Sequence, residues 1–308
     1  MRALGFNTYG PPEVFEELEL PKPTLSEKDV LIKVQAIGIN PYDALLRAGT
    51  MQKIRPLEFP IVPGSDVVGE IVEVGSKIKH YAIGDIVIGH PSIGGYGEYV
   101  AISSAKIVKK PAEMSLEEAA GLASVGTTAY FALQLAKLKK NEILIIQGAS
   151  GAVGSIAVQI AKEAGIHVIG IANSRNRDYV SALGADEVVA YDEENLAEAL
   201  ADKADVVLDA SFGGKGAEEG LRYVKKGGRY ISLTSLPENA EEKKVKTMRM
   251  TRTKDMKDKE ALGYLADLYR SHKLRLKTAE TLTFDLRGII GAHQLIDKKK
   301  VAGKLVLK

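Results

Sequence analysis

The chain has 308 residues, 42 basic against 40 acidic side chains, a formal net charge of +2, five histidines and no cysteine. Its length exceeds what one hydrophobic core normally serves, so two domains are expected. The near balance of charge gives no global field for nucleic acid or anionic lipid, and the lack of cysteine removes disulfides, thiolate nucleophiles and Cys-based zinc sites. His80, His90, His167, His272 and His293 are dispersed, with no pair at a ligand interval, so no metal is expected. No apolar run approaches the roughly 18 residues that span a bilayer, and the amino terminus shows no charged-then-apolar leader, so a cytoplasmic location is expected.

In chain order, the first third reads as short strands punctuated by glycine, proline and asparagine, at residues 30–39, 67–75, 85–89 and 97–102. The texture changes after Lys109-Lys110-Pro111. Ser115 with Glu117 and Glu118 predicts a helix start that runs to Leu122, and a second helix is expected after Gly126-Thr127-Thr128. Residues 143–146 then form an apolar, largely β-branched run ending in Gln147-Gly148-Ala149-Ser150-Gly151-Ala152-Val153-Gly154. A buried parallel strand feeding such a turn aims the first backbone N–H groups of the next helix at an anion. The G-x-G-x-x-G spacing is met as Ala149-x-Gly151-x-x-Gly154, with Ala149 replacing the first glycine, Gly151 at the close-approach position and Gly154 at the helix–strand packing position. Gly165 ends the helix, and residues 166–172 predict a second buried strand that completes a βαβ unit.

About 20 residues past such a turn, an NAD site places a carboxylate on the ribose hydroxyls. This chain has Asn173-Ser174-Arg175-Asn176-Arg177 there. An amide, a hydroxyl and a guanidinium suit a 2′-phosphate that a carboxylate would repel, so NADPH is expected over NADH. The alternative is that Arg175 and Arg177 merely begin a solvated helix. Further strands at 205–209 and 228–233 carry the α/β pattern to about residue 270. Ser211, Phe212, Leu233 and Thr234 follow the carboxyl ends of these strands, where open sheets bind ligands. The basic stretch 243–254 lacks stacking aromatics and reads as a solvated edge or an interface rather than a nucleic-acid site.

As an ordered set, Gly10-Pro11-Pro12-Glu13-Val14, Gly38-Ile39-Asn40-Pro41-Tyr42-Asp43 with Arg47 and Gly49, Pro63-Gly64-Ser65-Asp66-Val67-Val68-Gly69, Gly126-Thr127-Thr128-Ala129-Tyr130, the phosphate turn, Leu183-Gly184-Ala185-Asp186 and Gly303-Lys304-Leu305-Val306-Leu307 span nearly the whole chain. Together they resemble the medium-chain dehydrogenase/reductase superfamily, in its zinc-independent, quinone oxidoreductase-like branch. The resemblance implies an α/β protein with a Rossmann doubly wound parallel sheet, here residues 115–270, inserted in a GroES-like β-rich substrate domain, residues 1–114 and 271–308, with NADPH as cofactor. It further implies that Asn40 and Tyr42 line the nicotinamide and substrate cleft, where either could donate to a carbonyl. Thr128 would lie near the nicotinamide, Tyr191 beside the adenosine 2′-phosphate, and Gly303-Lys304 among the cofactor residues. Asn40 before Pro41 equally fits a helix N-cap with proline at the first helical position.

Zinc-dependent relatives carry Gly-His-Glu where this chain has Gly64-Ser65-Asp66, so neither a catalytic nor a structural zinc is expected. Without a Lewis acid, alcohol oxidation loses several kcal/mol of transition-state stabilisation, whereas a quinone accepts hydride with positioning and a few donors. The expected activity is NADPH-dependent, zinc-independent hydride transfer to a quinone or related electron-poor carbonyl compound. A 2-alkenal or enone double-bond reductase is the same-fold alternative, and an NADPH-binding sensor or soluble protein without turnover is the alternative of another class. Similar enzymes extend their Rossmann sheet across a two-fold axis, so a homodimer whose interface includes residues 245–251 is expected, with no membrane or nucleic-acid partner.

Overall fold

The computed structural model describes residues 1–211, 216–298 and 303–308, and Phe212 lies outside the described residues. The chain divides into two compact units, Met1–Ser124 with Lys257–Arg270 and Leu276–Lys308, and Val125–Met256 with Ser271–Arg275. The first unit opens with β1 (Arg2–Gly5), β2 (Glu16–Glu19), β3 (Asp29–Ile39), α1 (Pro41–Arg47), β4 (Asp66–Val74), β5 (Ile86–Gly89), β6 (Tyr99–Ser103), β7 (Ile107–Lys109) and α2 (Leu116–Ala120). The second unit begins within α3 (Ala123–Ala136) and runs through β8 (Ile143–Gln147), α4 (Ala152–Glu163), β9 (His167–Ala172), α5 (Arg177–Ala182), β10 (Glu187–Ala190), α6 (Leu196–Leu200), β11 (Ala204–Asp209), α7 (Ala217–Tyr223), β12 (Val224–Ser232) and β13 (Lys246–Arg249). The first unit is completed by α8 (Asp258–Arg270), β14 (Thr278–Leu282), α9 (Leu286–Asp297) and β15 (Lys304–Leu307).

These divisions differ from boundaries at 114 and 270. Helical texture alone groups α2 and α8 with the α/β lobe, but α2 packs on β3 and β4, and α8 packs on β7, so both belong to the first unit. Residues 271–275 go the other way. Gln159 Nε2 donates to the Arg275 carbonyl at 3.0 Å and the Arg275 N–H returns a bond to Gln159 Oε1 at 2.7 Å. The helix expected after Gly126-Thr127-Thr128 in fact starts earlier, at Ala123, and encloses those residues. Ala123, Thr127 and Ala129 are fully buried, so small side chains there serve close packing rather than marking a boundary.

In the first unit the sheet order is β14-β15-β3-β4-β5-β7, with β6 also paired to β3, and every pair except β14 with β15 is antiparallel. Among the described residues its apolar interior includes two clusters. One, around Val30, Ile32, Val67, Ile71, Val87 and Ile107, lies between the strands; the other gathers Phe6, Phe15, Ile37, Tyr96, Ile289 and Leu305. α2 starts where Ser115 caps it: Ser115 Oγ accepts from the Glu118 N–H at 3.2 Å and Glu118 Oε2 accepts from the Ser115 N–H at 3.0 Å.

The second unit is a six-stranded parallel sheet in the order β10-β9-β8-β11-β12-β13, which is 3-2-1-4-5-6 counted from β8. That order reverses direction between β8 and β11, and ligands of such sheets bind outside the carboxyl ends of the strands at this switch. α4 packs on β8 and β9, α5 on β9 and β10, and α7 on β11 and β12, and Ile145, Ile169, Val207, Leu221, Tyr223 and Tyr230 are buried in the core. Among the described residues no helix is long and apolar enough to cross a membrane.

Candidate dinucleotide and substrate sites

At the carboxyl end of β8 the backbone turns through Gly148, whose φ of +73° is open to glycine at little cost. The tight-turn role that the spacing assigned to Ala149 therefore belongs to its neighbour. Ala149 is buried and anchors the turn through its N–H, which donates to the Ile171 carbonyl of β9 at 3.0 Å. A Cβ at Gly154 would sit 2.2 Å from the Gly148 carbonyl oxygen, so only glycine lets α4 approach the turn this closely. Gly151 is the N-cap of α4, and Ser150, Gly151, Ala152 and Val153 stay half-exposed at the amino end of a 12-residue helix. Small, accessible residues around unsatisfied helix N–H groups make a cradle that fits a pyrophosphate.

The next strand, β9, is followed by Asn173, whose Oδ1 accepts weakly from the Arg175 N–H at 3.4 Å. The Arg175 side chain is exposed, and the Tyr191 ring stands 56% exposed just past β10. Arg177 is turned elsewhere. Its guanidinium donates to Glu194 at 3.0 Å, Glu193 at 3.3 Å and the Val188 carbonyl at 3.2 Å, which makes it a cap on β10. Ser174 is engaged as well: its N–H and Oγ both donate to the Asp192 carboxylate, at 2.8 and 2.7 Å. Pattern reading missed Asp192, although strand register locates it. Ala172 pairs with Ala190, which sets 174 beside 192 past the ends of the two strands.

Beyond β11, Ser211 donates to Asp209 Oδ1 from its N–H at 2.9 Å and its Oγ at 2.5 Å, and Tyr230 donates to Asp209 Oδ2 at 3.0 Å. Asp209 thus holds Ser211, a role its place at a strand end did not announce. Past β12, Leu233 is half-buried and its N–H donates to the Asp209 carbonyl at 3.1 Å, while Thr234 is exposed. Thr128 is half-buried in α3.

A second polar group lies inside the first unit. Asn40 is the N-cap residue of α1 with Pro41 at the first helical position. Its side chain reaches across to β4: Nδ2 donates to Ser65 Oγ at 3.2 Å and to Asp66 Oδ2 at 3.0 Å, while Oδ1 accepts from the Lys304 ammonium. Lys304 Nζ also binds Asp66 Oδ2 at 2.6 Å, and the Ser124 N–H donates to Asp66 Oδ1 at 2.5 Å. Lys304 reaches this point because two glycines leave room for its stem; a Cβ at Gly38 would meet its Cε at 2.9 Å and one at Gly121 its Cγ at 3.1 Å. Asn40, Asp66 and Lys304 are all at least 95% buried, so the amide is committed to positioning its neighbours. Tyr42 differs. Its hydroxyl accepts from Arg55 at 3.2 Å, which leaves its own proton available to another acceptor.

Residues 26–112 match the alcohol dehydrogenase GroES-like domain, and residues 183–307 match the zinc-binding dehydrogenase domain. The chain is 38% identical over 201 residues to the chloroplast envelope quinone oxidoreductase homolog of Arabidopsis thaliana, an alignment covering 62% of this chain and 61% of that one. It is 32% identical over 243 residues to the human quinone oxidoreductase, covering 76% and 73% of the two chains. The chain belongs to the medium-chain dehydrogenase/reductase superfamily, in its quinone oxidoreductase branch. Within this superfamily it is also 33% identical over 250 residues to the Arabidopsis NADPH-dependent alkenal/one oxidoreductase, covering 76% and 62%. Its fold superposes on the Escherichia coli quinone oxidoreductase solved in complex with NADPH, with a TM-score of 0.87, 27% identity and coverage of 100% and 99%.

The zinc that names one matched domain does not fit the residues present in this member of the superfamily. The donors at Asn40, Ser65 and Asp66 are an amide, a hydroxyl and a carboxylate, with neither the thiolate nor the imidazole that zinc favours. Asp66 already carries a cation, the Lys304 ammonium.

Proposed function

We propose that this member of the quinone oxidoreductase branch is a reductase that binds NADPH in its second unit and delivers hydride to a quinone or related electron-poor carbonyl compound. The observation that carries this reading is the cradle formed by the Gly148 turn and the α4 amino end, with Arg175 and Tyr191 exposed past the adjacent strand ends. It supports pyrophosphate binding by backbone N–H groups and interaction of the Arg175 guanidinium with a 2′-phosphate. The bound dinucleotide supplies the hydride. Tyr42 is our candidate for the complementary proton donor: with Arg55 donating to its oxygen, the phenol keeps its own hydrogen for a substrate oxygen, and the guanidinium would stabilise the charge left behind. The Lys304–Asp66–Asn40 group keeps the start of α1, which carries Tyr42, in place without a metal.

A panel of quinones and enones, followed by oxidation of NADPH and of NADH with and without a chelator, tests this reading. Turnover of quinones that survives chelation is expected. The kinship with an alkenal/one oxidoreductase favours a second reading, reduction of an activated carbon–carbon double bond, and faster turnover of enones than of quinones would select it. Tight NADPH binding with no turnover anywhere on the panel would identify a cofactor-binding protein instead.

A further inference from the structure

The donors at Ser174 are arranged as they would be around a phosphate, yet the anion they hold is part of the chain. Two hydrogens, from the Ser174 N–H and Oγ, go to the two carboxylate oxygens of Asp192 at 2.8 and 2.7 Å. These bonds, aided by the Arg175 guanidinium, keep the Asp192 carboxyl below its ordinary range, so it is an anion at neutral pH. Asp192 follows Tyr191 directly and is exposed, placing this charge at the ribose end of the proposed dinucleotide site. The surrounding charge does not cancel it. Arg177 is spent on Glu193 and Glu194, and the Arg175 charge favours the Asp192 carboxylate only from a distance, without a hydrogen bond to it.

We propose that Asp192 is a specificity-determining residue that narrows the preference for NADPH over NADH, by occupying the donors of Ser174 with an internal anion and adding a like charge beside the 2′-phosphate. The proposal rests on dinucleotide binding by the second unit. A 2′-phosphate carries close to two negative charges and must take the Ser174 hydrogens from Asp192 or do without them. The 2′-hydroxyl of NADH has no such conflict. It is a donor, and a carboxylate at the end of a neighbouring strand is the acceptor such hydroxyls use. Asn173, where an acidic residue would ordinarily stand, leaves that acceptor role open, and the register of β9 with β10 brings Asp192 to the same end of the sheet.

Calorimetric titration of the full chain with NADPH and with NADH, for the unaltered protein and for Asp192→Asn, reads the effect without any turnover. The amide keeps the size of the side chain and removes its charge. The expected result is a rise of about tenfold in NADPH affinity with NADH affinity unchanged or lower, so that the ratio of the two shifts toward NADPH. Ser174→Ala serves as the second variant and should weaken NADPH less than twofold in the unaltered background, because its hydroxyl is already taken, but more strongly in the Asp192→Asn background. A ratio that Asp192→Asn leaves unchanged, or an NADPH affinity that falls, overturns the role of Asp192 while leaving dinucleotide binding intact. Absence of binding by either dinucleotide to the unaltered protein overturns both.

Discussion

Lys304 shows how far a single side chain can depend on its partners. Its ammonium is buried against Asp66 and Asn40, and removing one partner of such a pair leaves the other as an uncompensated buried charge. Lys304→Met is therefore expected to destabilise the protein by about 3–5 kcal/mol, because it strands the Asp66 carboxylate, and Asp66→Asn added to it should recover part of that loss. Denaturant unfolding of the two variants checks this, and a cost below about 1 kcal/mol for the single change would mean that the pair is not buried as described. At the other unit, Arg175→Ala is expected to weaken NADPH by about 1.5–3 kcal/mol while leaving NADH nearly unchanged. Equal losses for both dinucleotides in calorimetry would remove Arg175 from phosphate recognition and leave Tyr191 as the candidate. The glycines of the phosphate turn were legible in the sequence because their spacing is local. The partner of Lys304 was not, because Asp66 and Asn40 lie 238 and 264 residues away along the chain.

α1 and α9 are tied by a chain of buried polar groups. Tyr96 donates to Asp43 at 3.0 Å and contacts His293 Nε2 at 3.3 Å, while Arg47 contacts His293 Nδ1 at 3.3 Å and pairs with Asp297 at 2.9 Å. With Arg47 donating to Nδ1, His293 is the neutral tautomer that donates from Nε2 to the Tyr96 oxygen. Burial, reinforced by the Arg47 charge, lowers His293 to about 3, and burial raises Asp43 to about 6. The two act in opposite directions. Between about 3 and 6.5 the unfolded chain binds a proton that native His293 refuses, so this contribution to stability grows with pH and is lost on acidification. Between 3.8 and about 6 native Asp43 holds a proton that the unfolded chain releases, so its contribution falls as pH rises. His293→Gln removes the first effect and keeps the second. Unfolding midpoints at pH 7, 5 and 4 should therefore show the stability difference between variant and unaltered protein shrinking, or reversing in favour of the variant, as pH falls. A constant difference would place the His293 titration in its ordinary range. From sequence His293 reads only as a non-ligand, since its partners Tyr96 and Arg47 lie 197 and 246 residues away.

At the scale of the whole molecule the two edges of the parallel sheet are treated differently. On β10, side chains occupy backbone groups that β9 does not use: Arg177 donates to the Val188 carbonyl at 3.2 Å, and the Ala190 N–H donates to Glu194 at 2.8 Å. On β13, which pairs in register with β12 on one side, no side chain among the described residues caps the opposite edge. An uncapped edge strand invites pairing with another chain, and a closed two-fold pairing satisfies it without propagating. We infer a homodimer in which β13 lies at the interface, within the segment 245–251 where the resemblance to sheet-extending enzymes also puts it. Thr247 and Met248 are half-buried within the protomer, and Lys246 and Arg249 are exposed on the same strand. Light scattering over a range of concentrations should give twice the mass of one chain. Charge reversal at both Lys246 and Arg249 should weaken the dimer if these side chains meet acidic partners across the axis, and should raise its salt sensitivity if they serve only as solvated flanks. A monomer at every accessible concentration would leave β13 an open edge guarded by its own charges; a dimer indifferent to both reversals would put the two-fold axis on another face.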